Sequence, residues 1–206
     1  MNGNSNLRVR ERAEGMNLIP FLAAFSFIFL AELGDKTQLA VITLCSRHNW
    51  KVVLSGAMFS FALIDGLSVL VGRGIAEVVP LFWIQIIGGV MFIAFGLYIL
   101  LHKERENESF KLTEKSSGFI STLILISLAE LGDKTQLAVI ALAAEYAEVI
   151  MIFLGVISGF LAITIIGVLI GKGLIHLVPQ RYLRLISAIL FIGFGLIFLL
   201  QPIVFT

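Results

Sequence analysis

Charged residues and cysteine are scarce in this chain. Only 14% of its 206 residues are charged, against about 25% in soluble domains, whereas 58% are hydrophobic. This composition excludes an ordinary soluble protein. The lone cysteine, Cys45, excludes an intrachain disulfide and says nothing about the redox compartment. The net charge of +1 gives no support to nucleic-acid binding, so we expect no nucleic-acid partner.

Long apolar runs are what the sequence has instead, and they recur from Leu18 to the C-terminus. A helix needs about 20 apolar residues to cross a bilayer. The sequence therefore predicts an all-α integral membrane protein, in contact with the lipid bilayer, with six transmembrane helices. The predicted spans are Leu18–Cys45, Val52–Val71, Leu81–Leu101, Phe119–Ala144, Val149–Ile170 and Leu183–Phe205.

The first 17 residues form a polar N-terminal tail with three arginines ahead of an apolar run, as in a signal peptide. The run Leu18–Ala31, however, continues straight into charged residues. No convincing small-x-small cleavage pattern precedes it. We therefore expect an uncleaved tail, residues 1–17, before the first span.

The segment LAELGDKTQLAVI occurs twice, at Leu30–Ile42 and at Leu128–Ile140, and is identical at all 13 positions. The alignment extends well beyond it, so two homologous halves, residues 18–101 and 119–206, are the simplest interpretation. Each half has three predicted spans. Because three is odd, the second half enters the bilayer from the opposite side, which predicts an inverted-topology repeat.

The loops between the spans differ in positive charge. Lys/Arg counts are 3, 1, 0 and 0 for the tail, the second loop, the fourth loop and the C-terminus. They are 2, 4 and 3 for the first, third and fifth loops, where the last count includes Arg184 at the start of the sixth span. Because cytoplasmic loops carry the excess, we expect the central loop, residues 102–118, in the cytoplasm and both termini outside. The compact length, without a eukaryotic targeting signal, favours a prokaryotic plasma membrane.

Each copy of the repeated segment places two acids, a lysine, a threonine and a glutamine near the middle of a span. In a regular helix the acids and the lysine share one face, with the glutamine beside it, and the threonine joins only if the helix is distorted. A kink or short unwinding is expected at Gly34 and Gly132. Inverted symmetry should bring together four carboxylates, two amides, two hydroxyls and two ammonium groups. They belong to Glu32, Asp35, Lys36, Thr37 and Gln38 and to Glu130, Asp133, Lys134, Thr135 and Gln136.

A purely structural role would make each Glu–Lys pair, four residues apart, a salt bridge along one helix. That role fails on charge, because each copy has two acids and one lysine, which leaves two negative charges in total. Uncompensated charge is costly in a bilayer, so a bound ligand or bound protons are implied. The available ligand atoms are all oxygens, which suits Mn²⁺, Ca²⁺ or Mg²⁺ and argues against Zn²⁺ or Cu⁺.

A divalent cation would cancel those two charges, and carboxylates that lose it in a low-dielectric medium bind protons instead. The residues therefore indicate an antiporter that exchanges divalent cations for protons, with the metal as cargo, no cofactor and no enzymatic activity. The predicted metal ligands are Glu32, Asp35, Glu130, Asp133, Gln38 and Gln136.

The two E-x-G-D-K-T motifs resemble those of the Golgi calcium/manganese transporter family and its bacterial and chloroplast relatives. The resemblance covers nearly the whole chain and implies a six-span inverted-repeat cation/proton exchanger. The metal-binding acids that it implies are Glu32, Asp35, Glu130 and Asp133. The supporting motif residues are Gly34, Lys36, Thr37, Gly132, Lys134 and Thr135. The family is also associated with manganese export and with loading of organelles with calcium or manganese.

Asp65 is a further acid, inside the second span, and aligns with Thr164 in the repeat. It is either a proton relay or accessory ligand, or a satisfied polar residue near the mouth of a water-filled cavity.

Three other functions stay open: a passive cation channel, a small-molecule exporter of three-plus-three architecture, and an intramembrane enzyme. A channel needs neither an inverted repeat nor a lysine beside each acid pair. Because Mn²⁺ and Ca²⁺ both accept oxygen ligands, the ligand types do not rank one cation above the other as cargo.

Overall fold

The computed structural model describes residues 17–45, 47–101, 117–146, 148–174 and 180–204, and over these residues every regular element is a helix. Nearly all of the predicted tail 1–17 and central loop 102–118 lies outside the described residues. The helices are α1 (Ile19–Ala31), α2 (Lys36–Cys45), α3 (Trp50–Val78), α4 (Leu81–Leu101), α5 (Gly118–Glu130), α6 (Lys134–Tyr146), α7 (Val149–Leu174) and α8 (Gln180–Val204).

The first and fourth predicted spans are each two helices rather than one. A few motif residues separate α1 from α2 and α5 from α6. Within these breaks Gly34 and Gly132 have φ of 81° and 82°, a left-handed conformation that glycine adopts without steric cost. The unwinding predicted at these glycines is confirmed. The alternative was a regular helix with both acids, the lysine and the glutamine on one face. That alternative is wrong.

Four helices in the described part of the chain are long and apolar enough to cross a membrane: α3, α4 and most of α7 and α8. Helices α1 and α5 are shorter apolar helices. Each is followed, beyond its break, by α2 or α6. The chain is an integral membrane protein with an all-helical described structure.

Helix α3 is longer than the sequence predicted. The span expected to end at Val71 continues to Val78, and Pro80 follows shortly after. Arg73, which the charge count assigned to a loop, lies inside the helix. Its guanidinium pairs with the carboxylate of Glu77 one turn later, at 3.3 Å. A pair at this spacing supports the added helical turns, and the proline explains where they stop.

The two halves of the chain pack mainly against each other. Helices α1 and α2 lie against α7, whereas α5 and α6 lie against α3, and α4 and α8 form the most extensive pair. Phenylalanines fill the space between α1, α4 and α8. The ring of Phe27 meets Phe92 and Phe191 edge to face, with centroids 5.4 and 4.9 Å apart. Because the broken helices of each half pack on the long helix of the other half, both motif breaks lie side by side in the interior.

Glycines allow the helices of opposite halves to approach closely. A Cβ placed on Gly56 of α3 would lie 2.9 Å from the carbonyl oxygen of Phe119 in α5. A Cβ on Gly159 of α7 would lie 3.0 Å from that of Ile28 in α1. Small residues at such contacts bring helix backbones together in lipid, and here they fix the distance between the two breaks.

Candidate metal site

The two copies of the motif build the same backbone break. In the first copy the amide of Asp35 donates to the carbonyl of Glu32 at 3.2 Å, and in the second Asp133 donates to Glu130 at 3.2 Å. Each break therefore closes as a tight turn that ends one helix and begins the next. It places the two acids of each motif on either side of a glycine rather than along a helix face.

The two glutamines stabilise these breaks. The side-chain oxygen of Gln38 accepts a hydrogen bond from the backbone N–H of Gly34 at 2.7 Å, and Gln136 does the same for Gly132 at 2.7 Å. N–H groups that a helix break leaves without a carbonyl acceptor need such partners. The sequence predicts both glutamines as metal ligands, and that role stays a prediction beside the hydrogen bond that each amide oxygen accepts from the backbone turn.

Three carboxylates from the two breaks converge. Glu32, Asp35 and Asp133 each offer one oxygen, and these oxygens all lie within 4.8 Å of one another. Ligands on opposite sides of a Ca²⁺ or Mg²⁺ ion stand roughly 4–5 Å apart, twice the metal–oxygen distance. The group therefore has the dimensions of an oxygen-ligated cation site, and it takes acids from both halves of the chain.

Glu130 has hydroxyl partners instead. One oxygen of its buried carboxylate accepts from the hydroxyl of Thr37 at 2.7 Å, and the other accepts from Thr135 at 3.3 Å. Thr37 belongs to the first motif and reaches across to the second. The distortion that would bring this threonine into the cluster is thus present. Glu130 stands beside the group of three acids and is held by neutral donors.

Glu32 carries a buried oxygen that lacks a hydrogen bond. The residue is 1% exposed, and its Oε1 has no hydrogen-bond partner among the described residues. It lines a narrow cavity with room for about one water molecule, together with Thr37, Gln38 and Thr164. Buried polar atoms are nearly always satisfied, so an orphaned carboxylate oxygen at a cavity indicates a place for a cation or a proton.

The two motif lysines differ in position. The ammonium of Lys134 lies 2.6 Å from an oxygen of Asp35, with the two side chains 14% and 7% exposed. Lys36 is exposed. Neither Glu–Lys pair that a purely structural role would require is bridged in the described structure, because the break separates its members. The cluster therefore holds one ammonium group rather than the two that the sequence predicted.

Asp65 is fully buried in α3, and neither of its carboxylate oxygens has a hydrogen-bond partner in the described chain. Its charge interacts with that of Glu130. Its repeat counterpart, Thr164 of α7, lines the cavity beside Glu32. Each motif glutamate thus faces the long helix of the opposite half, and only one of the two facing residues is an acid.

The sequence analysis did not identify an aromatic pair that lies beside the cluster. The rings of Phe61 and Phe160 stack in parallel, 3.9 Å apart at their centroids, and both line the cavity at Glu32. The repeat offset of 99 residues aligns these two positions, and that alignment is the signal that could have identified them. The stacked rings form an apolar wall where α3 and α7 cross next to the acids.

Comparisons with known proteins agree with this chemistry. A family model described as divalent cation/proton antiporter GDT1 matches residues 20–107 and 118–203. The chain is 31% identical over 170 residues to a protein of Vibrio cholerae named "Putative manganese exporter", covering 80% of this chain and 82% of that protein. It is 27% identical over 226 residues to GDT1-like protein 5 of Arabidopsis thaliana, covering 92% and 99%. No solved structure matches.

Proposed function

The chain belongs to the GDT1 family of divalent cation/proton antiporters, and from that premise we propose that it exchanges Mn²⁺ or Ca²⁺ for protons across a membrane. One observation carries the proposal. Three carboxylates drawn from both halves, those of Glu32, Asp35 and Asp133, lie within 4.8 Å of one another. The name of the Vibrio cholerae relative supports manganese as the cargo and export as its direction.

In the proposed site the acids have different roles. Glu32, Asp35 and Asp133 bind the cation, because oxygen ligands suit Mn²⁺ and Ca²⁺ and coordination requires the deprotonated form. Glu130 joins them once the hydroxyls of Thr37 and Thr135 release it. Asp65, buried beside Glu130, passes protons to and from the cluster. Metal and protons thus compete for the same negative charge, which is the basis of antiport.

The proposed architecture is a six-span inverted repeat, with each broken pair, α1–α2 and α5–α6, counting as one span. Separate matches of the family model to residues 20–107 and 118–203 support two equivalent halves. The exchanged packing of α1 on α7 and of α5 on α3 also supports it. Sites at the interface of inverted repeats, built on broken helices, are the usual arrangement in secondary transporters.

The proposed orientation places the central loop in the cytoplasm and both termini outside, in a prokaryotic plasma membrane. It rests on the excess of Lys and Arg in the first, third and fifth loops. With Cys45 replaced by serine, Ser116→Cys should resist an impermeant thiol reagent in intact cells and react after the cells are opened. A cysteine placed before Leu18 serves as the outside control. Ready labelling of Ser116→Cys in intact cells would contradict this orientation.

Transport is tested with the purified full chain in sealed proteoliposomes that contain a metal-sensitive dye or a pH dye. We expect saturable entry of Mn²⁺ or Ca²⁺ with protons moving out, and no such flux in protein-free vesicles. A separate assay with Mg²⁺ alone measures whether the third hard cation is transported as well. Metal flux that neither saturates nor moves protons would indicate a passive channel. Absence of flux for all three cations would leave a small-molecule exporter.

A further inference from the structure

We propose that the ammonium group of Lys134 is a tethered cation, which occupies the metal site when no metal is bound and must leave when metal enters. The inference rests on the proposed function and adds a role for a residue outside the ligand set. Lys134 lies in the first turn of α6, directly after Asp133. Its side chain is only 14% exposed and turns inward to the acids of the first motif.

The position of the ammonium group carries the proposal. Lys134 Nζ lies 2.6 Å from Asp35 Oδ2. Its charge also interacts with those of Glu32 and Asp133. Asp35, which the ammonium group contacts, is one of the three acids whose oxygens lie within 4.8 Å of one another, and Glu32 and Asp133 are the other two. The ammonium group stands where a bound cation would meet the same carboxylates.

The chemistry of the two cations makes their binding exclusive. An ammonium group donates up to three hydrogen bonds and neutralises one carboxylate charge, so it stabilises the empty cluster. A divalent cation needs the same oxygens and repels a positive charge a few ångströms away, most strongly where water is scarce. Asp35 cannot keep its short bond to Lys134 while it ligates a metal through that oxygen.

A comparison with Lys36 shows that this position is not a local property of the motif. The 13 residues around each lysine are identical, yet Lys36 is exposed and has no ion pair among the described residues. The difference extends to the glutamates. Glu130 has two hydroxyl donors, whereas Glu32 keeps an oxygen without one. The cluster is thus asymmetric, because the ammonium group of Lys134 lies against Asp35 whereas the hydroxyl of Thr37 lies against Glu130.

A tethered cation would serve the return step of an antiporter. A carrier that has released its metal must reorient with charged acids in its interior, and each unpaired charge in low dielectric raises that barrier. Lys134 would compensate one of these charges, and protons would compensate others. It would also weaken metal binding, which helps release on the far side. These two effects define the test.

Binding of Mn²⁺ to the purified full chain at one fixed alkaline pH provides the first measurement. Removal of the competing charge in Lys134→Met should tighten apparent binding by roughly tenfold, because the metal no longer displaces an ammonium group. Lys134→Gln is a second neutral variant in case the first does not fold. Lys134→Arg, which keeps the charge, should bind close to wild type. Lys36→Met is the matched control from an identical segment and should change binding by less than about twofold.

The second measurement separates metal exchange from net transport in proteoliposomes. Lys134→Met should retain exchange of external for internal Mn²⁺, since the metal-loaded carrier needs no lysine, while proton-driven net uptake falls at least about tenfold. Weaker or unchanged binding in both neutral variants would overturn the tethered cation and leave Lys134 as a structural partner of Asp35. Equal loss of exchange and of net uptake would overturn it as well. If wild type itself binds neither Mn²⁺ nor Ca²⁺, the proposed function fails instead.

Discussion

Asp35→Asn is expected to abolish metal transport, with flux reduced at least about a hundredfold, while the protein still folds and inserts into the membrane. Asparagine has nearly the same shape, but it removes one of three carboxylates that lie within 4.8 Å of one another. Hard divalent cations depend on carboxylate charge for much of their affinity, and an amide cannot replace it. The substitution also removes the partner of Lys134, so the ammonium group is left in the cluster without its closest counter-charge.

The measurement is initial uptake of Mn²⁺ and Ca²⁺ into proteoliposomes at matched protein content. Asp133→Asn should show a similar loss, because Asp133 supplies the acid from the other half. Glu77→Gln is the control, since this acid is exposed and makes only a surface pair with Arg73. Gel filtration in detergent verifies folding of each variant. Near-normal flux in either asparagine variant would show that the acids have a structural role only.

The sequence was sufficient to predict the breaks and the convergence of the acids. Glycine inside an apolar run, next to charges that cannot stay in a regular lipid-facing helix, indicates an interruption, and Gly34 and Gly132 provide it. The interruption also explains how Thr37 reaches Glu130 across the interface. Duplication of the motif implied that acids from both halves would meet, and Asp35 and Asp133 do so.

The asymmetry of the site could not be predicted. Two identical segments cannot encode different positions for Lys36 and Lys134, so the difference depends on the helices packed around them. Asp65 of α3 is close enough to Glu130 for their charges to interact, whereas the aligned Thr164 of α7 lines the cavity at Glu32. A long-range contact of this kind appears only when the two halves are assembled.

The glutamines make a backbone contact that the sequence did not predict. On a regular helix Gln38 and Gln136 lie beside the acids, which suggested metal ligands. In the broken helix the exposed N–H groups of Gly34 and Gly132 need acceptors, and the nearest amide oxygens supply them at 2.7 Å. Each amide oxygen thus has a backbone donor that an unbroken helix would not offer it.

Apparent metal affinity is expected to fall steeply as pH is lowered. Coordination requires deprotonated carboxylates, so protons and metal compete for the same oxygens. In the pH range where the empty site is protonated, each proton displaced should weaken apparent binding by about tenfold per unit decrease in pH. Lower pH on one side should therefore release metal there and drive it toward that side. Titration of the purified chain with Mn²⁺ across a pH series gives the slope, and with it the number of protons displaced.

The proton path can be separated from metal binding with Asp65→Asn. Asp65 is buried, has no hydrogen-bond partner among the described residues and lies outside the three-acid group. This variant should bind Mn²⁺ within a few-fold of wild type, but its net uptake should respond far less to an imposed pH gradient, because an amide carries no exchangeable proton at this position. Glu77→Gln, an exposed acid on the same helix, should respond like wild type. Saturable uptake that is unchanged when the gradient is collapsed in wild type would mean that the protein is a uniporter. An unaltered response in Asp65→Asn would assign the proton path to the motif carboxylates alone.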